Sequence, residues 1–211
     1  KIVDLRQCVP GRFNHHHAVM VGEIIAHVDY LTATIGRLDA RVEEMMTPFR
    51  AARELLTTIP GIQQRGAEII LAEIGVDMGR FATPGHLASW AGVCPGNNES
   101  AGKHRSTHTR HGDLWLQSAL VEAAWAAILT KNSYLGVRFW RIARRRGQQR
   151  AAMAIAHTLL IIIWHMLNDG TIYTEIGVDY LIRNDNPDRR RRHLIKQLQQ
   201  LGYQVELSPA A

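Results

Sequence analysis

The sequence predicts an all-α protein in which a long coiled-coil helix precedes a helical domain with a helix-hairpin-helix-like turn. Apolar residues between positions 21 and 49 recur every three or four residues without interruption, which is the spacing of a coiled coil. Residues 62–74 show helical apolar spacing directly after a Pro-Gly turn. No long run of alternating β-branched residues occurs, so strands are expected to contribute little to the fold.

The coiled-coil pattern predicts a dimerisation helix over residues 15–54. Its a positions are β-branched and its d positions are mostly leucine or isoleucine, a combination that favours two parallel strands. We expect a homodimer through residues 21–49; the alternative is one amphipathic helix packed on its own domain. Pro48 should end or kink the helix because it lacks an amide hydrogen. The a positions are Val21, Val28, Ile35 and Val42, and the d positions are Ile24, Leu31, Leu38 and Met45.

The remaining helices are predicted from apolar spacing and from residues that cap helix ends. Thr83 is an N-cap with Pro84 in the first turn, Asp113 opens an alanine-rich helix, and Pro187 opens a basic helix that Gly202 ends. Residues 93–111 lack periodicity and are predicted to form a long loop, which in a compact domain is usually functional or disordered. The predicted helices are 49–56, 62–74, 81–92, 113–129, 151–167 and 187–201, and 203–205 is predicted as a short strand.

Composition points to a globular protein with an acidic partner. The 211 residues are 46% hydrophobic and 21% charged, with a net charge of +6 and a pI of about 9.7. Such a charge favours a polyanion such as nucleic acid. The longest apolar run, residues 159–164, is too short to span a membrane, so no membrane partner is expected. Two distant cysteines and no Cys-x-x-Cys pair favour a reducing cytoplasm.

Outside the loop at 93–111, two groups of residues are predicted to contact DNA. Helix-hairpin-helix elements present backbone amides to a phosphate, and the Pro60-Gly61 turn is followed by polar and basic residues, Gln63, Gln64 and Arg65. In many helical hairpins, however, the glycine serves only to turn the chain. Basic residues Arg141, Arg144 and Arg145 share one helix face beside Trp140, so this face is predicted to follow a nucleic-acid backbone. The alternative is a solvated charged face.

No residue set in the sequence is assigned to a metal. The consecutive histidines 15–17 diverge around a helix and cannot converge on one ion. His104, His108 and His111 have better spacing for zinc but no acidic or cysteine partner. Glu68 and Glu73 are interpreted as helix-surface charges and Asp77 as a turn residue.

Ser100 lies in the predicted loop and is followed by a series of cationic or titratable residues. A serine is a weak nucleophile until a base or cation activates it, and cations can also stabilise charge on phosphate oxygens. The alternative is a flexible loop in which the serine caps a turn. The residues that follow it are Lys103, His104, Arg105, His108, Arg110 and His111.

From residue 55 to 125 the chain resembles the C-terminal domain of the IS110/IS116/IS902 family of DNA transposases. The resemblance is carried by the Ile59-Pro60-Gly61-Ile62 turn, Gly92-Val93-Cys94-Pro95, Ser100-Ala101-Gly102, the basic loop, and Gly112 before Leu114. It implies a missing N-terminal RuvC-like nuclease domain, a linker at 1–14, the coiled coil at 15–54, the transposase domain at 55–180, and a basic helix and tail at 181–211. The chain starts with Lys1 rather than Met, which agrees with a fragment.

The resemblance also implies how the residues act. Ser100 would attack a DNA phosphate, and Lys103, His104, Arg105 and Arg110 would bind that phosphate. Family members commonly show Ser-Ser-Gly where this chain has Glu99-Ser100-Ala101-Gly102, and Ser106 is a second candidate. Mg²⁺ would bind the missing N-terminal domain, and no cofactor is expected in this chain. The resemblance also admits an RNA guide and pairing of dimers into a tetramer.

Two functions therefore remain at this point. In the first, the chain is a fragment of a transposase, inactive alone, that binds DNA and supplies the nucleophile Ser100. In the second, it is a non-enzymatic dimeric helix-hairpin-helix module that binds DNA or RNA.

Overall fold

The computed structural model describes residues 14–96, 98–101, 103–106, 108–178, 180 and 187–205, with only the backbone described for 98–100, 103–106, 187, 189, 190 and 193. Most of the linker predicted at 1–14 lies outside these residues. The chain divides into two compact units, Lys1–Pro48 and Phe49–Ala211. The described elements confirm the all-α class.

The first unit contains one long helix, α1 (His15–Met46). The side chain of Asn14 accepts a hydrogen bond from the His17 amide, and the His17 imidazole accepts one from the Asn14 amide, which closes a capping box. The α-helical pattern stops at Met46, and a 3₁₀ turn, Thr47–Phe49, contains Pro48. The expected interruption of the helix at this proline is thus confirmed.

The second unit contains the remaining helices. In chain order they are α2 (Arg50–Leu56), α3 (Gln64–Ile74), a 3₁₀ turn (Met78–Arg80), α4 (Pro84–Trp90), α5 (Leu114–Ala127), α6 (Tyr134–Arg146), α7 (Gln148–Asp169) and α8 (Pro187–Gln200). The longer connection between α4 and α5 carries two short strands. Thr83 and Asp113 cap their helices as expected, by accepting the amides of His86 and Leu116.

Helix α7 lies at the centre of the second unit. It packs against α2, α4, α5 and α6, and its residues Ile155, Leu159, Leu160 and Ile163 are fully buried. By length and composition alone, two segments pass the test for a membrane span: His15–Leu56 and Gln148–Asp169. For Gln148–Asp169, burial against four neighbouring helices explains the apolar composition.

Two expectations about strands were wrong. Residues 93–111, predicted as a loop, contain an antiparallel hairpin of β1 (Asn98–Ser100) and β2 (Lys103–Ser106). Residues 203–205, predicted as a strand, form none; instead the amide of Tyr203 bonds back to the Leu198 carbonyl. Gly202, at φ +88°, ends α8 in this way, because a left-handed residue lets the following amides reach the last carbonyls.

Candidate nucleic-acid interface

The Pro60-Gly61 turn joins α2 to α3 and packs against α5. Gly61 has φ +89°, and a Cβ added there would lie 2.5 Å from the Ala127 amide nitrogen and 2.9 Å from the Ala127 Cα. Only glycine fits both the backbone angle and the space. Close packing against α5 is thus sufficient to explain this glycine, and contact of the turn with a phosphate stays a prediction.

The polar residues after the turn are partly engaged with a buried carboxylate. Gln63 is the N-cap of α3 and is exposed, and its side chain makes no capping hydrogen bond. The side-chain amide of Gln64 donates a hydrogen bond from Nε2 to Glu68 Oε1 at 2.8 Å. Arg65, whose side chain is 59% exposed, places Nη1 4.0 Å from Glu68 Oε2. All three residues are exposed, so each retains surface that a phosphate could contact.

Glu68 corrects a sequence-based interpretation. The sequence predicts a helix-surface charge, but Glu68 is 7% exposed and its Oε1 lies 3.1 Å from Nη1 of Arg53 in α2. A buried carboxylate requires such a partner because removal from water is costly for a charge. The ion pair joins the two helices of the hairpin and so fixes the turn between them.

Ser100 ends β1 of the hairpin. The register pairs Ser100 with Lys103 and Glu99 with His104, and it shifts between Asn98 and Glu99. Ala101 has φ +51°, an angle that suits the tight turn of a two-residue hairpin. The backbone therefore brings Ser100 opposite Lys103, while Arg105 lies farther along β2. The side chains of these strand residues lie outside the described part of the chain.

The two ends of the hairpin meet at a pair of glycines. A Cβ on Gly92 would lie 2.9 Å from the Gly112 nitrogen and 2.8 Å from the Arg110 carbonyl oxygen. The Gln117 side chain of α5 donates to the Gly92 carbonyl at 3.0 Å. Higher in the stem, the Gly96 amide donates to the His108 carbonyl at 2.8 Å. The hairpin thus starts from a fixed base, and Arg110, which is exposed, belongs to that base.

A pair of carboxyl groups lies beside this base. Burial raises the pKa of Glu73 in α3, and a hydrogen bond with Asp113 and the charge of Asp113 raise it further. Within the described residues, no group of three or more His, Cys, Asp or Glu side chains is placed to hold a metal ion.

The three predicted arginines Arg141, Arg144 and Arg145 line an open groove of about 820 Å³. This volume lies within the roughly 300–1,000 Å³ of typical ligand sites. All three are exposed, and Arg144 and Arg145 lie in the last turn of α6, where the helix dipole favours positive charge. The remaining lining residues are Ile128, Thr130, Lys131, Asn132, Ser133, Gly136, Val137, Trp140 and Val178.

Arg138 belongs to the same helix but points into the protein. Its Nη1 donates to the Tyr134 hydroxyl at 2.9 Å, and its guanidinium carbon lies 5.9 Å from the centre of the Tyr134 ring. Burial lowers the pKa of His157 in α7, and the charge of Arg138 lowers it further. The arginines of α6 therefore divide into an internal one and an external set, as their helical spacing predicts.

Helix α8 contains an ion pair between two residues of one turn, Asp188 and Arg191. Arg191 Nη2 lies 2.8 Å from Asp188 Oδ1, and both side chains are more than half exposed. Such an exposed pair contributes little stability, about 0–1 kcal/mol.

The predicted site residues thus lie in three places: the glycine turn, the hairpin and the groove of α6. Sequence reasoning missed Lys131, Asn132 and Val178 as groove residues. Lys131 and Asn132 lie in the turn before α6, and Val178 comes from a segment more than 30 positions later. No spacing rule links them, because the tertiary fold alone brings them to one surface.

Comparison with known proteins gives consistent matches. Residues 53–140 match the Transposase IS116/IS110/IS902 family. The insertion element IS900 uncharacterized 42 kDa protein of Mycobacterium paratuberculosis is 31% identical over 169 residues, which cover 78% of this chain and 41% of that protein. The insertion element IS110 uncharacterized 43.6 kDa protein of Streptomyces coelicolor is 30% identical over 120 residues, 56% of this chain and 29% of that protein. This chain therefore spans less than half the length of either relative.

Proposed function

Because this chain belongs to the Transposase IS116/IS110/IS902 family, we propose that it is the C-terminal part of a DNA transposase that binds DNA and contributes a serine nucleophile, Ser100, to strand exchange. One observation carries the proposal: the matched region, 53–140, contains the hairpin in which Ser100 is the register partner of Lys103. An N-terminal RuvC-like part with bound Mg²⁺ completes the activity, so the chain alone is inactive.

The proposed chemical step is a transesterification. The Ser100 oxygen forms a bond to the phosphorus of a DNA phosphodiester, and the bond from phosphorus to one deoxyribose oxygen breaks. The proton lost by serine ends on the released deoxyribose oxygen. Lys103, His104, Arg105 and Arg110 hold the phosphate, because cations stabilise both an ionised serine and the charge that develops on phosphate oxygens.

DNA binding in this proposal uses the exposed cations of α6 and the turn before α3. Arg141, Arg144 and Arg145 lie on one open surface, and Gln63 and Arg65 remain exposed beside Pro60-Gly61. Each phosphate neutralised on duplex DNA should contribute about −0.9 to the slope of log affinity against log salt. An RNA guide would use the same cations.

Assembly in this proposal uses α1. Seven of the eight predicted a and d residues are 43–62% exposed, namely Val21, Ile24, Val28, Leu31, Ile35, Leu38 and Met45. The eighth, Val42, is half-buried. A contiguous exposed apolar surface marks an interface with a protein or a membrane. The strict heptad spacing favours a second copy of this chain over a lipid face, and two dimers can then pair into a tetramer in the cytoplasm.

Replacement of Ser100 in the intact parent protein tests the proposal. Ser100→Ala should abolish recombination and leave DNA affinity within about twofold, because a hydroxyl contributes little to backbone binding. Ser106→Ala, in the opposite strand of the same hairpin, is the matched control and should remain active. A denaturation-resistant adduct between DNA and protein should form with Ser106→Ala but not with Ser100→Ala.

The reverse result would identify Ser106 as the nucleophile. Unchanged recombination in both variants would exclude a serine nucleophile from this hairpin, and the non-enzymatic dimeric DNA- or RNA-binding module would then be the better description of the chain.

A further inference from the structure

The groove of α6 combines two kinds of surface. Its lining includes the half-buried apolar side chains of Ile128, Val137 and Val178, and also four exposed cations, Lys131, Arg141, Arg144 and Arg145. A face that only follows duplex phosphates needs cations and no apolar surface. The combination of both surfaces matches an unpaired nucleotide, which has an apolar base face and an anionic phosphate.

Trp140 provides an aromatic surface in this groove. It is 50% exposed, although its ring contacts that of the fully buried Phe139 edge to face, with 5.1 Å between the centroids. Phe139 in turn contacts Trp125 at 5.5 Å. The buried phenylalanine fixes Trp140 on one side, so little side-chain entropy would be lost when a base stacks on the exposed part.

Polar groups border the aromatic surface. Asn132 has φ +55° and is exposed beside Lys131 in the turn that precedes α6. Ser133 is buried, and its hydroxyl accepts the Gly136 amide at 3.1 Å. Asn132 and Thr130 are exposed in this groove, and their uncharged polar groups can form hydrogen bonds to the edge of a base.

We propose that this groove binds an unpaired nucleotide of single-stranded nucleic acid, with the base stacked on Trp140 and the adjacent phosphates held by Arg141, Arg144 and Arg145. The proposal deepens the proposed function and rests on it, because it specifies which form of nucleic acid this surface takes. In a duplex both faces of each base are covered by its neighbours, so a base can stack on Trp140 only when it is unpaired or flipped out.

The test measures affinity of the 211-residue chain for three fluorescent probes at one salt concentration: a thymidine 12-mer, a uridine 12-mer and a 12-base-pair DNA duplex. Base stacking on an aromatic side chain contributes about 1–3 kcal/mol, so Trp140→Ala should weaken single-strand binding roughly 5- to 150-fold. Duplex affinity should stay within about twofold, and Trp140→Phe should retain most of the single-strand affinity. The more tightly bound single strand identifies DNA or RNA as the source of the nucleotide.

Two controls separate stacking from folding and from charge. Trp115→Ala removes another tryptophan, 76% exposed on α5 and outside the groove, and should leave all three affinities unchanged. Arg144→Gln should weaken duplex and single-strand binding alike and reduce the salt dependence. Trp140→Ala could unfold the chain, and a second measurement then replaces it. Single-stranded probes should quench the tryptophan fluorescence of the unsubstituted chain, and this quenching should be lost in Trp140→Phe.

The outcomes distinguish this inference from the function on which it rests. Duplex binding without single-strand binding would overturn the inference and leave the proposed function intact. Equal losses for duplex and single strand in Trp140→Ala, or no loss in either, would also overturn it. Failure of the chain to bind any of the three probes would contradict both.

Discussion

The carboxylate of Glu175 accepts the backbone N–H of Tyr134, the first residue of α6, with 2.9 Å between Oε1 and the nitrogen. The same oxygen accepts the Gly177 amide at 2.9 Å, and the Tyr173 hydroxyl donates to Oε2 at 3.0 Å. Burial raises the pKa of Tyr173 far above its usual value, and the hydrogen bond and charge of Glu175 raise it further. Glu175 thereby attaches residues 171–178, including the groove residue Val178, to the start of α6.

Glu175→Ala should destabilise the protein by about 1–2 kcal/mol, because it removes a negative charge and a hydrogen-bond acceptor from a helix N-terminus. Urea unfolding followed by circular dichroism measures the change. Glu122→Ala is the control, since Glu122 is exposed on α5 and should change stability by less than about 0.5 kcal/mol. Equal urea midpoints for the two variants would show that the contact of Glu175 with α6 does not contribute to the free energy of unfolding.

Gly61, in the turn between α2 and α3, and Gly66, in the first turn of α3, should change stability in opposite directions when each is replaced by alanine. Gly61→Ala places a Cβ 2.5 Å from the Ala127 nitrogen at φ +89° and should cost at least about 2 kcal/mol. Gly66→Ala meets only the Ile62 side chain, at 3.8 Å, and should stabilise α3 by about 0.5–1 kcal/mol. Thermal unfolding of both variants gives the comparison, and a neutral Gly61→Ala would contradict the packing of this turn against α5.

Stability should depend on pH through His157. Its pKa is lowered by burial and by Arg138, whereas an unfolded histidine titrates near about 6.5. Above that pH His157 is neutral in both states and does not lower the free energy of unfolding. Below it the unfolded chain binds the proton more readily than the folded chain, so the free energy of unfolding falls as the pH falls. His157→Gln should therefore lose less stability than the unsubstituted protein between about pH 7.5 and pH 5.5.

Melting temperatures at the two pH values measure this difference. His86→Gln, an exposed substitution on α4, is the control and should follow the unsubstituted protein. The same pH dependence in His157→Gln and in the control would exclude His157 as the cause.

Leu31→Asp should convert the proposed dimer to a monomer, because it places a charge at a d position of the heptad repeat in α1. Leu31 is 44% exposed in the single chain, so the substitution should leave the helix content of the monomer unchanged. Asp29→Asn lies two positions away on another face of the helix and should remain dimeric. Sedimentation velocity distinguishes the species, and a monomeric unsubstituted chain would refute assembly through α1.

Much of the fold and part of the site could be predicted because the signals are local. Pro48 interrupts a helix, and Thr83 and Asp113 cap helices, through bonds to residues within one turn. The arginines of α6 share a face because of helical geometry alone. The family assignment from residues 55–125 is also confirmed. Ser100 as nucleophile and the metal in another domain stay predictions.

The missed features depend on contacts between distant segments. The sequence predicts Glu68 as a surface charge, because nothing near it in sequence indicates that it pairs with Arg53 on the other side of the Pro60-Gly61 turn. The hairpin at 98–106 escaped detection because its polar strands show no apolar alternation, and the close approach of Gly92 and Gly112 that fixes its base is a tertiary contact.

The sequence by itself determined α1 with its heptad spacing, most of the shorter helices and the caps Thr83 and Asp113, because each depends on propensities and hydrogen bonds within a few residues. The bounds of α6 (Tyr134–Arg146) were not predicted. Only the tertiary structure decided that Gly61 packs on α5, that Glu175 attaches 171–178 to α6, and that Lys131 and Val178 join the arginines in one groove. These contacts form when α7 buries its apolar side against the surrounding helices. Local apolar spacing indicates which face of a helix is buried, but not which distant segment covers that face.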